Sequence, residues 1–377
     1  MTAVNEEALL ETLLDLVRIY GPAKDERRVA DYIASKLRES GLDVEEDDAG
    51  KCTGGSAGNL IVRLEGGLKG PGLVFVAHMD TVEPAEDVVP EVEAGIISSE
   101  GDTILGADDR AGIAVLLETI KMLVETDVPH SPLEFVFTIA EETGLVGAKN
   151  LDTSKLKSRC GFVLDSHGAP GTAAVIAPSH ITFEARCKGR SAHAGIEPEK
   201  GINAVQIASK GVSEMQLGRI DEDTTANIGK IQGGKATNIV PDLAIVKGEA
   251  RSFDADKLER QIEHMFACMR TAAEELGGEV EIEAVKEYET YRISDDALPV
   301  KLLKEAAKMA GLECKLESCG GGSDANVLNS SGISSVVLGL GYRDVHTCDE
   351  SMDLKDLTDS ARLVAVLISA AGRFGSE

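Results

Sequence analysis

Four of the most apolar runs in this 377-residue chain stop on an acidic or imidazole side chain. LVFVAHMDTV (73–82) carries His78 and Asp80, and LGADDRAG (105–112) carries Asp108. FVFTIAEETG (135–144) carries Glu141 and Glu142, and GFVLDS (161–166) carries Asp165. A buried strand that ends in a charge is costly unless the charge is paired or bound to a metal. Four such ends in succession imply a sheet whose strand tips converge on one site. Hard carboxylate and imidazole donors of this kind are ligands that zinc takes.

The bulk numbers narrow the partners. The length suggests two domains, and 43% hydrophobic with 27% charged residues is ordinary for a globular chain. A net charge of −27 argues against nucleic-acid and anionic-membrane partners, which need a basic footprint. Seven cysteines without a C-x-x-C pair fit reduced thiols and a cytoplasmic location. The segment MTAVNEEALLETLLDLV reads as a helix rather than a signal peptide, because it has no basic leader region and no small-residue cleavage site. No apolar run approaches the roughly 20 residues of a membrane span.

Periodicity supplies the organisation. Helices are expected at 6–20 and 26–39, closed by Gly21 and Gly41 respectively. Strands follow at 59–63 and 73–77. Ile113, Leu116, Leu117, Ile120, Leu123 and Val124 then mark one helical face. Strands at 133–140 and 161–165 complete an α/β pattern with a sheet covered on both faces, where functional groups gather at the carboxyl ends of strands. From 179 the texture becomes strand, helix (201–217), strands (227–232 and 243–250), helix (258–276) and strand (279–288), the ferredoxin-like split βαβ plan. The stretch 297–310 and the remainder return to the first texture, ending in an amphipathic helix at 354–373. The expected layout is a catalytic domain in two parts, 1–178 and 293–377, interrupted by an α+β domain at 179–292.

HMDTV, GADDRAG, AEETGLVGAKNL, FVLDSHG, SAHAGIEPEKGINA and ATNIVPD, in this order, resemble the peptidase T-like branch of the di-zinc exopeptidase and deacylase superfamily. The resemblance covers nearly the whole chain. It implies an α/β/α catalytic domain carrying an inserted ferredoxin-like lid and dimerisation domain. It also implies two Zn²⁺ ions, with Co²⁺ or Mn²⁺ as possible substitutes, and hydrolysis of short peptides by a homodimer. By the same resemblance Asp108 bridges the ions, His78 and Asp165 complete one, and Glu142 and His346 complete the other. The resemblance further implies a catalytic set of Asp80, Glu141 and His193, with Asn238 and Arg251 holding the substrate backbone and carboxylate.

The residues taken singly leave alternatives open. Glu141 precedes a ligand at a strand end and suits a general base. Asp80, two residues after His78, lies on the same face of an extended segment and is placed to accept the imidazole N–H. Asp108-Asp109 also reads as a turn or helix cap, and Glu141-Glu142 as the start of a short helix. His346 reads as a loop histidine, His193 as a turn histidine, and Arg251 as half of a surface ion pair. GGGSDAN (320–326) opens a helix with a Ser cap and reads either as a substrate-carboxylate contact or as a tight turn. The activity expected is that of an aminotripeptidase. The alternative is an amidohydrolase or carboxypeptidase acting on N-acyl amino acids or dipeptides, and a non-catalytic binding protein on the same fold is a third possibility.

Overall fold

A computed structural model describes residues 4–374. The chain divides into two compact units, one formed by Met1–Ile176, Arg292–Cys319 and Ser323–Glu377, the other by Ala177–Tyr291 with Gly320–Gly322.

The first unit is built on a mixed sheet in which Leu60–Leu64, Leu133–Thr138, Leu73–His78, Cys160–Ser166, Ser334–Gly339 and Thr172–Ala177 lie side by side in that order. Leu73–His78 pairs parallel with both Leu133–Thr138 and Cys160–Ser166, and Ser334–Gly339 runs parallel to Cys160–Ser166. Every residue of Leu73–His78 and Leu133–Thr138 is buried, odd and even alike, so both faces of the sheet are covered. Phe75 lies opposite Phe135 and Phe162 in register, with ring centroids at 5.6 and 5.5 Å. A slip of one residue would throw this aromatic row onto the opposite face, so it helps to fix the pairing. The parallel arrangement brings the tips after His78, Thr138 and Asp165 to one edge.

The helix at Ala107–Thr126 packs on this sheet with buried Ile113, Leu116, Leu117, Ile120 and Leu123. Helices Glu6–Val17, Arg27–Glu39, Leu298–Ala310 and Leu354–Phe374 supply further apolar faces to the same core. Gly41 takes φ 76° and closes its helix as expected, its N–H donating to the Arg38 carbonyl. Gly21 does not cap, since the first helix stops at Val17. It is needed for close approach instead, because a Cβ there would sit 2.6 Å from Val29 and 3.0 Å from the Arg110 guanidinium. A small antiparallel sheet orders Tyr342–Arg343, Ser351–Asp353, Ile96–Glu100 and Val89–Glu93, and so anchors both ends of the loop that carries His346. The hairpin strands have mostly exposed residues and no alternating pattern that would announce them.

The second unit has its own sheet, in the order Gly218–Arg219, Thr224–Gly233, Leu243–Ser252, Ser179–Lys188 and Glu279–Tyr288. The four long strands are all antiparallel to their neighbours, with two strand–helix–strand crossovers, as in the split βαβ plan. Helices Ala204–Glu214 and Ala255–Glu275 cover one face over a core that includes Phe183, Ala185, Cys187, Ile207, Met265 and Met269. Both helices start later or earlier than periodicity suggests because capping side chains set the ends. The Asn203 side chain accepts from the Gln206 N–H, and that of Asp254 accepts from the Lys257 N–H.

Candidate metal centre

The edge formed by the parallel strands gathers His78, Asp80, Asp108, Glu141, Glu142, Asp165 and His346, all within the first unit. Asp108 stands at the middle. Its Oδ1 is 3.2 Å from His78 Nε2, and its Oδ2 is 3.4 Å from His346 Nε2. His78 Nε2 is 4.0 Å from Asp165 Oδ1, while His346 Nε2 is 2.9 Å from Glu142 Oε1. Among the described residues, three sets bring their donor atoms within 4.8 Å of one another: His78, Asp108 and Asp165; Asp108, Glu142 and His346; and His78, Glu141 and Glu142.

The charges in this pocket do not balance. Burial, then the neighbouring Asp108 carboxylate, pushes Asp165 well above the usual carboxylate range, and burial followed by Asp165 does the same to Glu141. Burial opposes charge on His78, yet its hydrogen bonds to Asp108 and Asp80 outweigh this and hold its pKa well above the usual imidazole value. Hydrogen bonds to Asp108 and Glu142 raise His346 to about 10. Burial works against an ionised Asp108, but the two imidazoles bring it below the usual range. Hard oxygen and nitrogen donors crowded with excess negative charge suit divalent cations.

The Glu141-Glu142 pair begins no helix; it forms a turn closed by the N–H groups of Gly144 and Leu145 donating to the Glu141 carbonyl. Asp80 holds this turn. Its Oδ1 accepts the Glu141 N–H at 2.9 Å and its Oδ2 the Glu142 N–H at 3.1 Å. Asp80 also meets the His78 imidazole, as its spacing suggests: Nδ1 lies 3.0 Å from the Asp80 carbonyl oxygen and 3.4 Å from Oδ1. Asp109 plays the cap, with Oδ1 accepting the Gly112 N–H and Oδ2 the His78 N–H.

Three further buried groups border the site. Glu350, four residues past His346 and 1% exposed, accepts the N–H of Gly106 at 2.6 Å and that of Asp108 at 3.0 Å. Burial raises its pKa to about 7, against the pull of those amides. The Tyr342 hydroxyl donates towards Asp165 Oδ1 at 3.3 Å. Asp324 follows the Ser323 cap, accepts the Thr138 hydroxyl at 2.6 Å, and is pushed up to about 6 by burial.

His193, Asn238 and Arg251 belong to the second unit. The Ala194 N–H donates to the Asn238 carbonyl, so the His193 and Asn238 segments lie side by side, with both residues exposed. Arg251 Nη2 is 3.2 Å from Glu249 Oε2, which also faces His180 Nε2 at 2.8 Å.

The family model for peptidase family M20/M25/M40 matches residues 74–370. The chain is 44% identical over 370 residues to the uncharacterized protein YqjE of Bacillus subtilis (strain 168), covering 98% of this chain and 100% of that one. A tripeptidase from Staphylococcus aureus subsp. aureus Mu50 superposes with a TM-score of 0.94 at 41% identity, over 99% of this chain and 100% of the other. Aminopeptidase PepT from Bacillus cereus ATCC 10987 does so with a TM-score of 0.89 at 40% identity, over 98% and 99%. This chain is a peptide hydrolase and belongs to peptidase family M20/M25/M40.

Proposed function

We propose that the protein is a two-metal exopeptidase that removes the amino-terminal residue of short peptides, tripeptides among them. The observation that carries this reading is the Asp108 carboxylate, which turns one oxygen toward His78 and the other toward His346. One ion would be held by His78, Asp108 and Asp165, and a second by Asp108, Glu142 and His346. Zinc suits these donors best, and cobalt or manganese would substitute. Such a pair of ions supplies a water that ionises near neutral pH and a Lewis acid for the scissile carbonyl.

Glu141 lies outside both ligand sets and beside His78 and Glu142. It takes the proton of the attacking water and passes it to the leaving amine. Its buried surroundings favour a carboxyl that can hold that proton. Asp80 keeps Glu141 and Glu142 aimed by fixing both of their amides.

In the second unit, Arg251 would grip the peptide carboxylate bidentately and Asn238 its backbone. His193 would donate to the developing oxyanion from the partner subunit of a homodimer, with this unit acting as lid and dimerisation element. Free cysteines, with no disulfide among the described residues, support a cytoplasmic setting. None of the described helices is long and apolar enough to cross a membrane. Substrate length and end preference draw support from the tripeptidase and the aminopeptidase that superpose on the whole chain.

The test is a panel of an unblocked tripeptide, the same peptide N-acetylated, and an N-acetyl amino acid. Hydrolysis of the unblocked peptide alone is expected. Cleavage confined to the acylated compounds would replace this reading with a deacylase.

A further inference from the structure

Four consecutive backbone amides at the turn carrying the base each donate to a buried side chain. Ile139 N–H donates to Asn59 Oδ1 at 3.1 Å, and Ala140 N–H to Glu26 Oε1 at 3.0 Å. Glu141 and Glu142 N–H donate to the two oxygens of Asp80. Asn59, Glu26 and Asp80 are all 0% exposed, and they come from three distant stretches of the chain. Asn59 also clasps the far side of the turn, its Nδ2 donating to the Gly147 carbonyl at 2.9 Å.

A turn amide ordinarily bonds to a nearby carbonyl or to water. Burying two carboxylates and an amide to hold four amides in a row is expensive unless the turn must keep one conformation. Ala140 shows what is being held: it sits at φ 48°, a left-handed conformation that an alanine does not favour. Glu26 is the acceptor at that residue, and its Oε1 also takes the Lys24 N–H at 2.8 Å. Arg110, 1% exposed, is the buried cation whose charge acts on Asp80, Glu26 and Asp109.

We propose that Glu26, with Asn59, is a positioning residue for the peptidase reaction, holding the Ala140 backbone so that the Glu141 carboxylate keeps its place beside the reacting water. The proposal rests on Glu141 acting as the base. Glu26 touches none of the five ligand side chains through a hydrogen bond or ion pair among the described residues, so its loss should leave metal binding in place. What it supplies is an acceptor oxygen, which a glutamine also offers and a methionine of similar volume does not.

The experiment compares Glu26→Gln and Glu26→Met with the wild type, each loaded with metal and counted by metal content. Glu26→Met should lower kcat by about 10- to 100-fold, in the range lost when outer supporting groups are removed. KM should stay within about twofold and metal stoichiometry unchanged, because substrate and ion contacts are untouched. Glu26→Gln should keep kcat within roughly threefold of the wild type, because the acceptor is retained. Hydrogen exchange read on peptides spanning 139–142 should show protection in the wild type and in Glu26→Gln, and its loss in Glu26→Met. Wild-type kcat in Glu26→Met, an equal fall in both variants, or fast exchange of these amides in the wild type would overturn the proposal. Should Glu26→Met not fold, the wild type and Glu26→Gln still decide the matter, because fast exchange of these amides in either would overturn the proposal. Full activity of Glu141→Gln would instead remove the base assignment while leaving the clamp itself to the exchange data.

Discussion

Replacing Glu350 by Gln tests how far the loop behind His346 governs Asp108, the ligand proposed to be shared. Glu350 spans two backbone donors, one oxygen on Gly106 N–H at 2.6 Å and the other on Asp108 N–H at 3.0 Å, in a site 1% exposed. Glutamine keeps one acceptor oxygen and turns an NH₂ group toward the second donor. The longer bond, to Asp108, is the one expected to be given up. Above about pH 8, where Glu350 is ionised, losing one hydrogen bond to the charged acceptor costs about 1.5–3 kcal/mol, with the orphaned donor included at the upper end. At about 2–4 °C per kcal/mol for a domain of this size, metal-free protein should melt roughly 3–12 °C lower. Asp108 is the residue shared by both proposed ligand sets, so affinity should fall about 10- to 100-fold for at least one ion. The assays are thermal unfolding of the chelated protein and competition with a chromophoric chelator. An unchanged melting temperature together with wild-type affinity at both sites would refute the reasoning.

Three further outcomes follow from the same geometry. Glu141→Gln should lower kcat by roughly 10²–10⁴-fold while both metals stay bound, as read by stopped assay and metal analysis. Phe75→Ala removes the ring stacked on Phe135 and Phe162 at a fully buried position, and should destabilise the first unit by about 3–5 kcal/mol in denaturant titration. Glu249 is held down to about 2, first by its hydrogen bond to His180 and then by Arg251. Its folded pKa is therefore below the ordinary 4.5, so its contribution is present above that pH and lost as pH falls toward 2. With that carboxylate 36% exposed, the contribution is discounted for solvent screening to about 1 kcal/mol, so Glu249→Gln should be weaker by that amount at neutral pH and equal to the wild type near pH 2.

What was legible in the sequence was whatever had to leave a periodic or terminal mark. Apolar strands that stop on His78, Glu141 and Asp165 announce both the sheet and the edge where its tips meet. The strand–helix order after residue 179 likewise announces the second unit's plan. Groups that act by accepting backbone amides leave no such mark. Glu350 sits in the polar stretch VHTCDES, and Glu26 beside a helix start; each looks like a surface acid until the chain is folded around it. Gly21 looks like a helix cap for a related reason, because the contact that requires it, with the Arg110 guanidinium, lies 89 residues away in sequence. Asp80 is legible as the neighbour of His78, but the two turn amides its carboxylate also holds lie 61 and 62 residues along the chain and leave no local mark.

The most direct test of the two-metal reading is to strip the protein with a chelator and return zinc in measured equivalents while following cleavage of an unblocked tripeptide. The account predicts no activity without metal, recovery that needs two ions per chain, and no recovery in Asp108→Asn, which lacks the carboxylate that both proposed ligand sets share. Full cleavage by metal-free protein, or by Asp108→Asn, would contradict it.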